Sequence, residues 1–225
     1  MLSMEQAFRD SSKRKVAYVI FDVDGTLVDN LDLIVKSFNL AVAESACREF
    51  SKEEAYALFG PTLEEMIVDI VPSGNVKVAN ERYHAHYKKH FHSFARAYPG
   101  INQLIASMQS AGIEISICTG SGQRMTQTTL AESGLRDRFS KVVTADDVSH
   151  QKPDPEGLIM AVQMMKAHAD QTVYLGDSAR DIGASRRAGI GSATALWGFG
   201  NESKLRSLRP DFVFRDTSDA LRLLA

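Results

Sequence analysis

Short apolar runs, each ended by small or acidic residues, constrain the fold of this chain more than any other feature. The first run, Val16–Phe21, is almost wholly apolar and stops at Asp22, which is typical of a strand buried on both faces of a parallel sheet. The sequence predicts further strands at Ile113–Cys118, Lys141–Thr144, Thr172–Leu175, Ser192–Leu196 and Phe212–Phe214.

Segments of helical length and pattern separate these runs, and several of them end at a glycine, which suits the position just after a helix. They are Gln103–Ser110, Gln123–Ser133, Pro155–His168, Asp181–Ala188 and a C-terminal helix near Ser218–Leu224. Alternation of strand and helix implies right-handed crossovers. The predicted fold class is therefore α/β, with a doubly wound parallel sheet.

Residues 30–98 interrupt this alternation. They indicate successive helices and no convincing strand, at Leu31–Ala46, Lys52–Phe59, Leu63–Ile70 and Val76–Phe94. Pro99-Gly100 then marks the return to the alternating pattern. We predict a core domain of residues 1–29 and 99–225, with a helical insert at 30–98.

Composition narrows the class of partner and the compartment. The chain has 225 residues, of which 44% are hydrophobic, and a formal net charge of −2, so a nucleic acid or an acidic membrane is not an expected partner. No apolar run approaches the roughly 20 residues of a membrane span, and residues 1–15 lack the apolar core of a secretory signal. Cys47 and Cys118 lie far apart, and Cys118 suits a buried free thiol. These features predict a cytoplasmic protein.

Two acids follow the first predicted strand. Asp22 and Asp24 are expected at its carboxyl end, where open α/β sheets bind ligands. Neighbouring carboxylates repel each other, and a hard cation relieves that repulsion. Gly25 permits a tight turn and Thr26 adds a hydroxyl. Taken alone, these residues also fit an Asx turn with two solvated acids.

The ends of the other strands carry complementary groups. Thr119–Gly122 offers hydroxyl and backbone N–H groups ahead of a helix, as anion sites do. Lys152 lies just before a proline-started helix, where its charge can offset nearby acids, and Asp177 and Asp181 are one helical turn apart. We therefore expect acids, hydroxyls and a lysine at one rim of the sheet.

These segments, in this order, resemble the four motifs of the haloacid dehalogenase-like hydrolase superfamily: Asp22–Thr26, Thr119-Gly120, Lys152, and Gly176-Asp177 with Asp181. Two more segments resemble its phosphoglycolate phosphatase-like branch, namely Phe59–Glu65 and Trp197–Gly200. The resemblance covers nearly the whole chain after Lys15. It implies a Mg²⁺-dependent phosphatase whose helical insert is a cap over the active site.

The resemblance also implies roles for single residues. Asp22 would attack phosphorus and form an aspartyl-phosphate, while Asp24 would protonate the leaving oxygen and later take a proton from water. Mg²⁺ would be held by Asp22, the Asp24 backbone carbonyl and Asp177, with Asp181 in a supporting position.

The phosphoryl oxygens would be bound by Thr119, the Gly120 amide and Lys152. In the cap, a turn would help to select the substrate, and its residues are Gly60, Pro61 and Thr62.

The substrate stays open at this point. Asp24 argues against a dehalogenase, because a departing halide needs no proton. The leading expectation is a small phosphomonoester such as phosphoglycolate. The alternatives are pyrophosphate, a sugar phosphate (as phosphatase or mutase), and a binding protein without activity. Thr119–Gly122 departs from the Thr-Asn-Lys of many phosphoglycolate phosphatases.

His86 and His90, one helical turn apart, fit a solvated cap helix better than a metal site.

Overall fold

The computed structural model of this protein describes residues 15–46, 48–58 and 63–224. Its strands, in chain order, are β1 (Tyr18–Phe21), β2 (Val28–Asp29), β3 (Arg96–Ala97), β4 (Glu114–Cys118), β5 (Val142–Val143), β6 (Thr172–Gly176), β7 (Gly191–Ala195) and β8 (Phe212–Phe214). Six of them form one sheet in the order β5-β4-β1-β6-β7-β8, and every neighbouring pair is parallel. The predicted doubly wound parallel sheet is confirmed.

The strand order reverses next to β1. β4 and β5 lie on one side of it, whereas β6, β7 and β8 lie on the other. Connections therefore leave the carboxyl ends of β1 and β6 in opposite directions, which opens a crevice between them. This reversal puts the residues after β1 and β6 side by side.

The described helices are α1 (Leu31–Ala46), α2 (Lys52–Leu58), α3 (Leu63–Val68), α4 (Val76–Phe94), α5 (Ile101–Ser110), α6 (Gln123–Glu132), α7 (Glu156–Met165), α8 (Ala179–Ala188) and α9 (Glu202–Ser207). Short 3₁₀ turns complete the structure, and the C-terminal segment Asp219–Leu224 is one of them. An α-helix was predicted there. The hydrogen bonding shows the difference, since Leu221 N bonds to Ser218 O, three residues back, as in a 3₁₀-helix.

A two-stranded antiparallel ribbon joins the two ends of the helical segment. Val28 pairs with Ala97 and Asp29 with Arg96. The prediction that residues 30–98 contain no strand was therefore wrong at its C-terminal end, because a two-residue strand is too short to show any alternation. The division into a core domain and a cap domain stays a prediction.

One hydrophobic cluster runs from the sheet into the helical segment. It includes Val19 and Phe21 of β1 together with Phe38, Tyr87 and Phe91 of α1 and α4. A second cluster lies against the other face of the sheet, and in it Cys118 is buried and free, as predicted. Burial raises the pKa of that thiol to about 12. None of the helices in the described ranges has the length and apolar character needed to cross a bilayer.

Candidate active site

A cavity of about 530 Å³ lies at the carboxyl edge of the sheet, above the crevice between β1 and β6. The structure brings six of the predicted site residues together in its wall: Asp22, Asp24, Thr119, Gly120, Lys152 and Asp177. Asp181 lies behind Lys152 and contacts it directly. Gly60, Pro61 and Thr62, the predicted selecting turn, lie outside the described residues.

Asp22 is held rigidly at the end of β1. Its backbone N–H donates to Leu175 O in β6 (2.9 Å), and its side-chain Oδ1 accepts from Val23 N (2.8 Å). Its Oδ2 accepts from Lys152 Nζ at 2.8 Å. Burial raises the pKa of Asp22 to about 6, although the Lys152 charge acts in the opposite direction. The carboxylate is thus oriented, desolvated and next to the cavity.

Lys152 donates all three of its ammonium protons in hydrogen bonds. Nζ donates to Asp22 Oδ2 (2.8 Å), Asp181 Oδ1 (2.7 Å) and Tyr174 Oη (2.7 Å). Burial lowers the pKa of Lys152, but the charges of Asp181 and Asp22 outweigh burial and raise it well above its usual value.

Asp181 supports the site through a capping box. Ser178 is the N-cap residue of α8 and its Oγ accepts from Asp181 N. Asp181 Oδ2 accepts in return from Ser178 N (2.8 Å) and Ser178 Oγ (2.6 Å). Burial acts to raise the pKa of Asp181, but Lys152 and the Ser178 bonds hold it below its ordinary value. Its charge is therefore already compensated.

Asp177 is different, because no salt bridge reaches it within the described parts of the chain. Its Oδ2 accepts from Phe199 N at 2.7 Å. Burial, with the charges of Asp181 and Asp22, raises its pKa well above the usual range. Two glycines make room for it, since a Cβ at Gly25 (φ +77°) would lie 2.3 Å from Asp177 Oδ2 and a Cβ at Gly198 would lie 2.3 Å from Asp177 Cβ.

This arrangement fits a divalent cation. Carboxylate oxygens of Asp22, Asp177 and Asp181 lie within 4.8 Å of one another, and all three residues are buried. Lys152 is the one ammonium that pairs with this group in the described structure, so negative charge remains uncompensated. Oxygen-rich, charged clusters of this kind are preferred by hard cations such as Mg²⁺.

A second group of acids and a histidine, formed by His150, Asp154 and Glu156, lies elsewhere and is less buried. The carboxylate of Glu156 accepts from the backbone N–H groups of Ser149 and His150, both at 2.9 Å. Asp154 Oδ1 accepts from Glu156 N at 3.0 Å. These carboxylates stabilise a loop and the start of α7.

Asp24 is held by two residues that sequence reasoning did not assign. Asn30 Nδ2 donates to Asp24 Oδ1 and Ser121 Oγ donates to Asp24 Oδ2, both at 2.5 Å. Ser121 belongs to the loop Thr119–Gly122 that was predicted to bind anions, so its position was available from the sequence. Asn30 carried no signal, because it follows the motif and precedes a helix.

The segment Trp197–Gly200, noted in the sequence only as a mark of resemblance, wraps around Asp177. Trp197 Nε1 donates to Thr26 O at 3.0 Å, which fixes the turn after Asp24. A Cβ at Gly200 would lie 2.0 Å from Asp177 O, so the segment approaches as bare backbone. It therefore couples the turn after β1 to the turn after β6.

The walls of the cavity differ in character. On the side of the helical segment they are apolar and come from Ile34, Phe38, Met66 and Tyr83, whereas Arg180 and Lys204 contribute cationic groups from the other side. No histidine lines the cavity in the ranges that the structure describes. His86 Nδ1 instead lies 2.9 Å from Ser37 Oγ.

The chain is similar to known proteins over most of its length. A family model described as haloacid dehalogenase-like hydrolase matches residues 19–195. A protein named pyrophosphatase PpaX from Oceanobacillus iheyensis is 29% identical over 206 residues, which cover 92% of this chain and 95% of that protein. The PpaX of Bacillus mycoides is 28% identical over 211 residues, covering 94% and 98%.

Solved structures share the fold. One described as a predicted phosphoglycolate phosphatase from Haemophilus somnus superimposes with a TM-score of 0.84 at 21% identity, covering 95% of this chain and 100% of that one. CbbY from Rhodobacter sphaeroides, solved in complex with phosphate, gives a TM-score of 0.80 at 20% identity, covering 93% and 99%.

Proposed function

This chain belongs to the haloacid dehalogenase-like hydrolase family, and from that membership and its site we propose that it is a Mg²⁺-dependent phosphatase that hydrolyses a small phosphomonoester through an aspartyl-phosphate on Asp22. The observation that carries the proposal is the environment of the Asp22 carboxylate. The carboxylate is buried at the cavity, oriented by Val23 N (2.8 Å) and Lys152 (2.8 Å), and lies beside Asp177, which has no salt bridge among the described residues.

The chemistry takes two displacements. Asp22 attacks phosphorus, the bond to the leaving oxygen breaks, and Asp24 gives that oxygen a proton. Asp24 then takes a proton from the water that hydrolyses the phosphoenzyme. Both carboxylates line the same cavity, and hydrogen bonds to both oxygens of Asp24 hold it in place.

Asp22, Asp177 and the Asp24 backbone carbonyl would hold the Mg²⁺. When bound, the cation neutralises charge on the carboxylates and on the phosphoryl oxygens. Thr119, the Gly120 amide and Lys152 would bind those oxygens. Because Lys152 already donates all three protons, it would exchange one of its present partners for the phosphoryl group.

Residues 30–98 would act as the cap. Their side chains Ile34, Phe38, Met66 and Tyr83 form one wall of the cavity, so they would contact the leaving group and exclude water during transfer. The apolar character of that wall favours an ester with an organic leaving group.

Pyrophosphate is the second candidate. The relatives named PpaX are pyrophosphatases, and Arg180 and Lys204 place cationic groups at the cavity that suit a second phosphate. A panel of phosphoglycolate, other small phosphate esters, sugar phosphates and pyrophosphate, each assayed with and without Mg²⁺, separates these substrates. A sugar phosphate that is isomerised, with no free phosphate released, would identify a mutase.

The covalent step is tested with Asp22→Asn. We expect the variant to lose turnover of p-nitrophenyl phosphate by at least about 1,000-fold, because an amide is a poor nucleophile. Wild-type enzyme quenched in acid should carry a phosphoryl group on Asp22, detected by mass spectrometry of peptides. The matched control, Asp170→Asn, changes an exposed acid outside the cavity and should retain full activity. Turnover by Asp22→Asn at the wild-type rate would refute the mechanism.

A further inference from the structure

Asp24 lies at one end of a buried row of side chains that ends on α6. Asn30 Nδ2 donates to Asp24 Oδ1 (2.5 Å) and to Tyr87 Oη (2.7 Å), and Tyr87 Oη lies 3.0 Å from Thr129 Oγ1. We propose that Asn30 and Tyr87 are positioning residues, which determine the oxygen of Asp24 that carries the transferred proton. This inference rests on the acid-base role proposed for Asp24.

Asn30 immediately precedes α1, where its backbone carbonyl accepts from Ile34 N at 2.9 Å. An asparagine at this position normally caps the helix with its side-chain oxygen. Here Asn30 Oδ1 is buried and has no hydrogen-bond partner in the described part of the chain. A buried acceptor without a partner destabilises the folded state. The side chain thus gives up a capping bond while its amide donates to Asp24 and Tyr87.

The direction of these bonds decides where the proton of Asp24 resides. An amide nitrogen can only donate, so Asp24 Oδ1 accepts whether or not the carboxyl group is protonated. The proton is therefore left to Oδ2, which lies 2.5 Å from Ser121 Oγ. A hydroxyl can donate or accept, so Ser121 can pair with Oδ2 in both states.

In both steps the proton is then transferred at the same atom, Asp24 Oδ2. In the first step the proton moves from Asp24 Oδ2 to the leaving oxygen, as that oxygen separates from phosphorus and Asp22 bonds to it. In the second step a proton of the attacking water returns to Oδ2 while the bond between Asp22 and phosphorus breaks. Oδ2 faces Ser121, which lines the cavity in the loop after β4.

Tyr87 fixes the orientation of the Asn30 amide. Because Tyr87 Oη accepts a hydrogen bond from Asn30, its own O–H is free to donate to Thr129 Oγ1, 3.0 Å away. Tyr87 lies in α4 and Thr129 in α6, so the row is complete only while these helices are packed together. Removal of the Tyr87 hydroxyl would leave one amide proton of Asn30 without its acceptor.

The test compares phosphate esters of different leaving-group basicity in Asn30→Ala and Tyr87→Phe. 2,4-Dinitrophenyl phosphate needs no protonation of its leaving group, whereas the best alkyl phosphate of the substrate panel does. For the alkyl ester we expect kcat/KM to fall about 10–100-fold in Asn30→Ala and about 3–10-fold in Tyr87→Phe. For the dinitrophenyl ester both variants should stay within about threefold of the wild type.

Ser37→Ala is the matched control, because it removes a hydrogen bond between α1 and α4, Ser37 Oγ to His86 Nδ1 (2.9 Å), without touching Asp24. It should affect all esters equally. Equal losses for all esters in Tyr87→Phe, or in Asn30→Ala if that variant folds, would overturn the positioning role and make the row purely structural. Wild-type enzyme without activity on any ester would instead refute the proposed function.

Discussion

At the scale of single residues, the buried carboxyl group of Asp177 lowers the stability of the folded protein when it is ionised. It is buried without a salt bridge in the described structure, and its pKa is raised well above the usual range by burial and by the neighbouring acids. A raised carboxyl pKa destabilises the folded state only at a pH at which the group is ionised in the unfolded chain. The loss in free energy of unfolding is therefore absent below the ordinary carboxyl pKa of about 4 and grows as the pH rises above it.

Asp177→Asn should consequently stabilise the metal-free protein while it abolishes activity. In EDTA at pH 7.5 we expect its Tm to exceed that of the wild type by about 2–10 °C, with the difference vanishing near pH 4. Activity should fall at least about 100-fold, and added Mg²⁺ should raise the Tm of the wild type more than that of the variant. Asp170→Asn is the control for an exposed acid. A lower Tm for metal-free Asp177→Asn at pH 7.5 would contradict this account.

At the scale of elements, the turns after β1 and β6 and the segment Trp197–Gly200 form one unit around Asp177. A Cβ at Gly198 would lie 2.3 Å from Asp177 Cβ and 2.4 Å from Gly25 O, neither of which can move alone. We expect Gly198→Ala to lower kcat/KM about 100-fold by displacing the carboxylate, and to weaken Mg²⁺ binding measured by thermal shift.

Gly74→Ala is the matched control, because a Cβ at Gly74 would meet nothing within 4 Å. It should leave kcat/KM and Mg²⁺ binding unchanged. Wild-type Mg²⁺ affinity in Gly198→Ala would show that the two turns adjust independently.

At the scale of the whole molecule, one hydrophobic cluster joins the sheet to the helical segment. Phe91, in the last turn of α4, is 1% exposed and belongs to this cluster, so Phe91→Ala should destabilise the entire chain. We expect calorimetry to show a single transition whose Tm is lower by about 10 °C.

Phe94→Ala, at a residue that is 42% exposed on the same helix, should change the Tm little. Two separate transitions in Phe91→Ala, one of them at the wild-type temperature, would show that the cap and the core fold independently.

The sequence by itself determined the α/β class, the carboxyl ends of the sheet strands to within one residue, and most of the residues that the structure brings together at the candidate site. Asp22 and Asp177 were predictable because the residue that follows a buried strand lies at a sheet edge whatever the rest of the fold does. Parallel strands put their carboxyl ends at the same edge, so their order in the chain was enough. The ribbon β2–β3 was missed because two-residue strands have no pattern.

Only the tertiary structure decided how those residues share their charges. Asp177 and Asp181 look alike in sequence, yet Lys152 pairs with Asp181 and leaves Asp177 without a salt bridge in the described chain. The contacts of Asp24 with Asn30 and of Asn30 with Tyr87, 57 residues further along, likewise depend on how α4 packs. The reason is that hydrogen bonds and ion pairs depend on distances of a few ångströms between segments. Side-chain packing determines those distances, and local sequence patterns do not encode them.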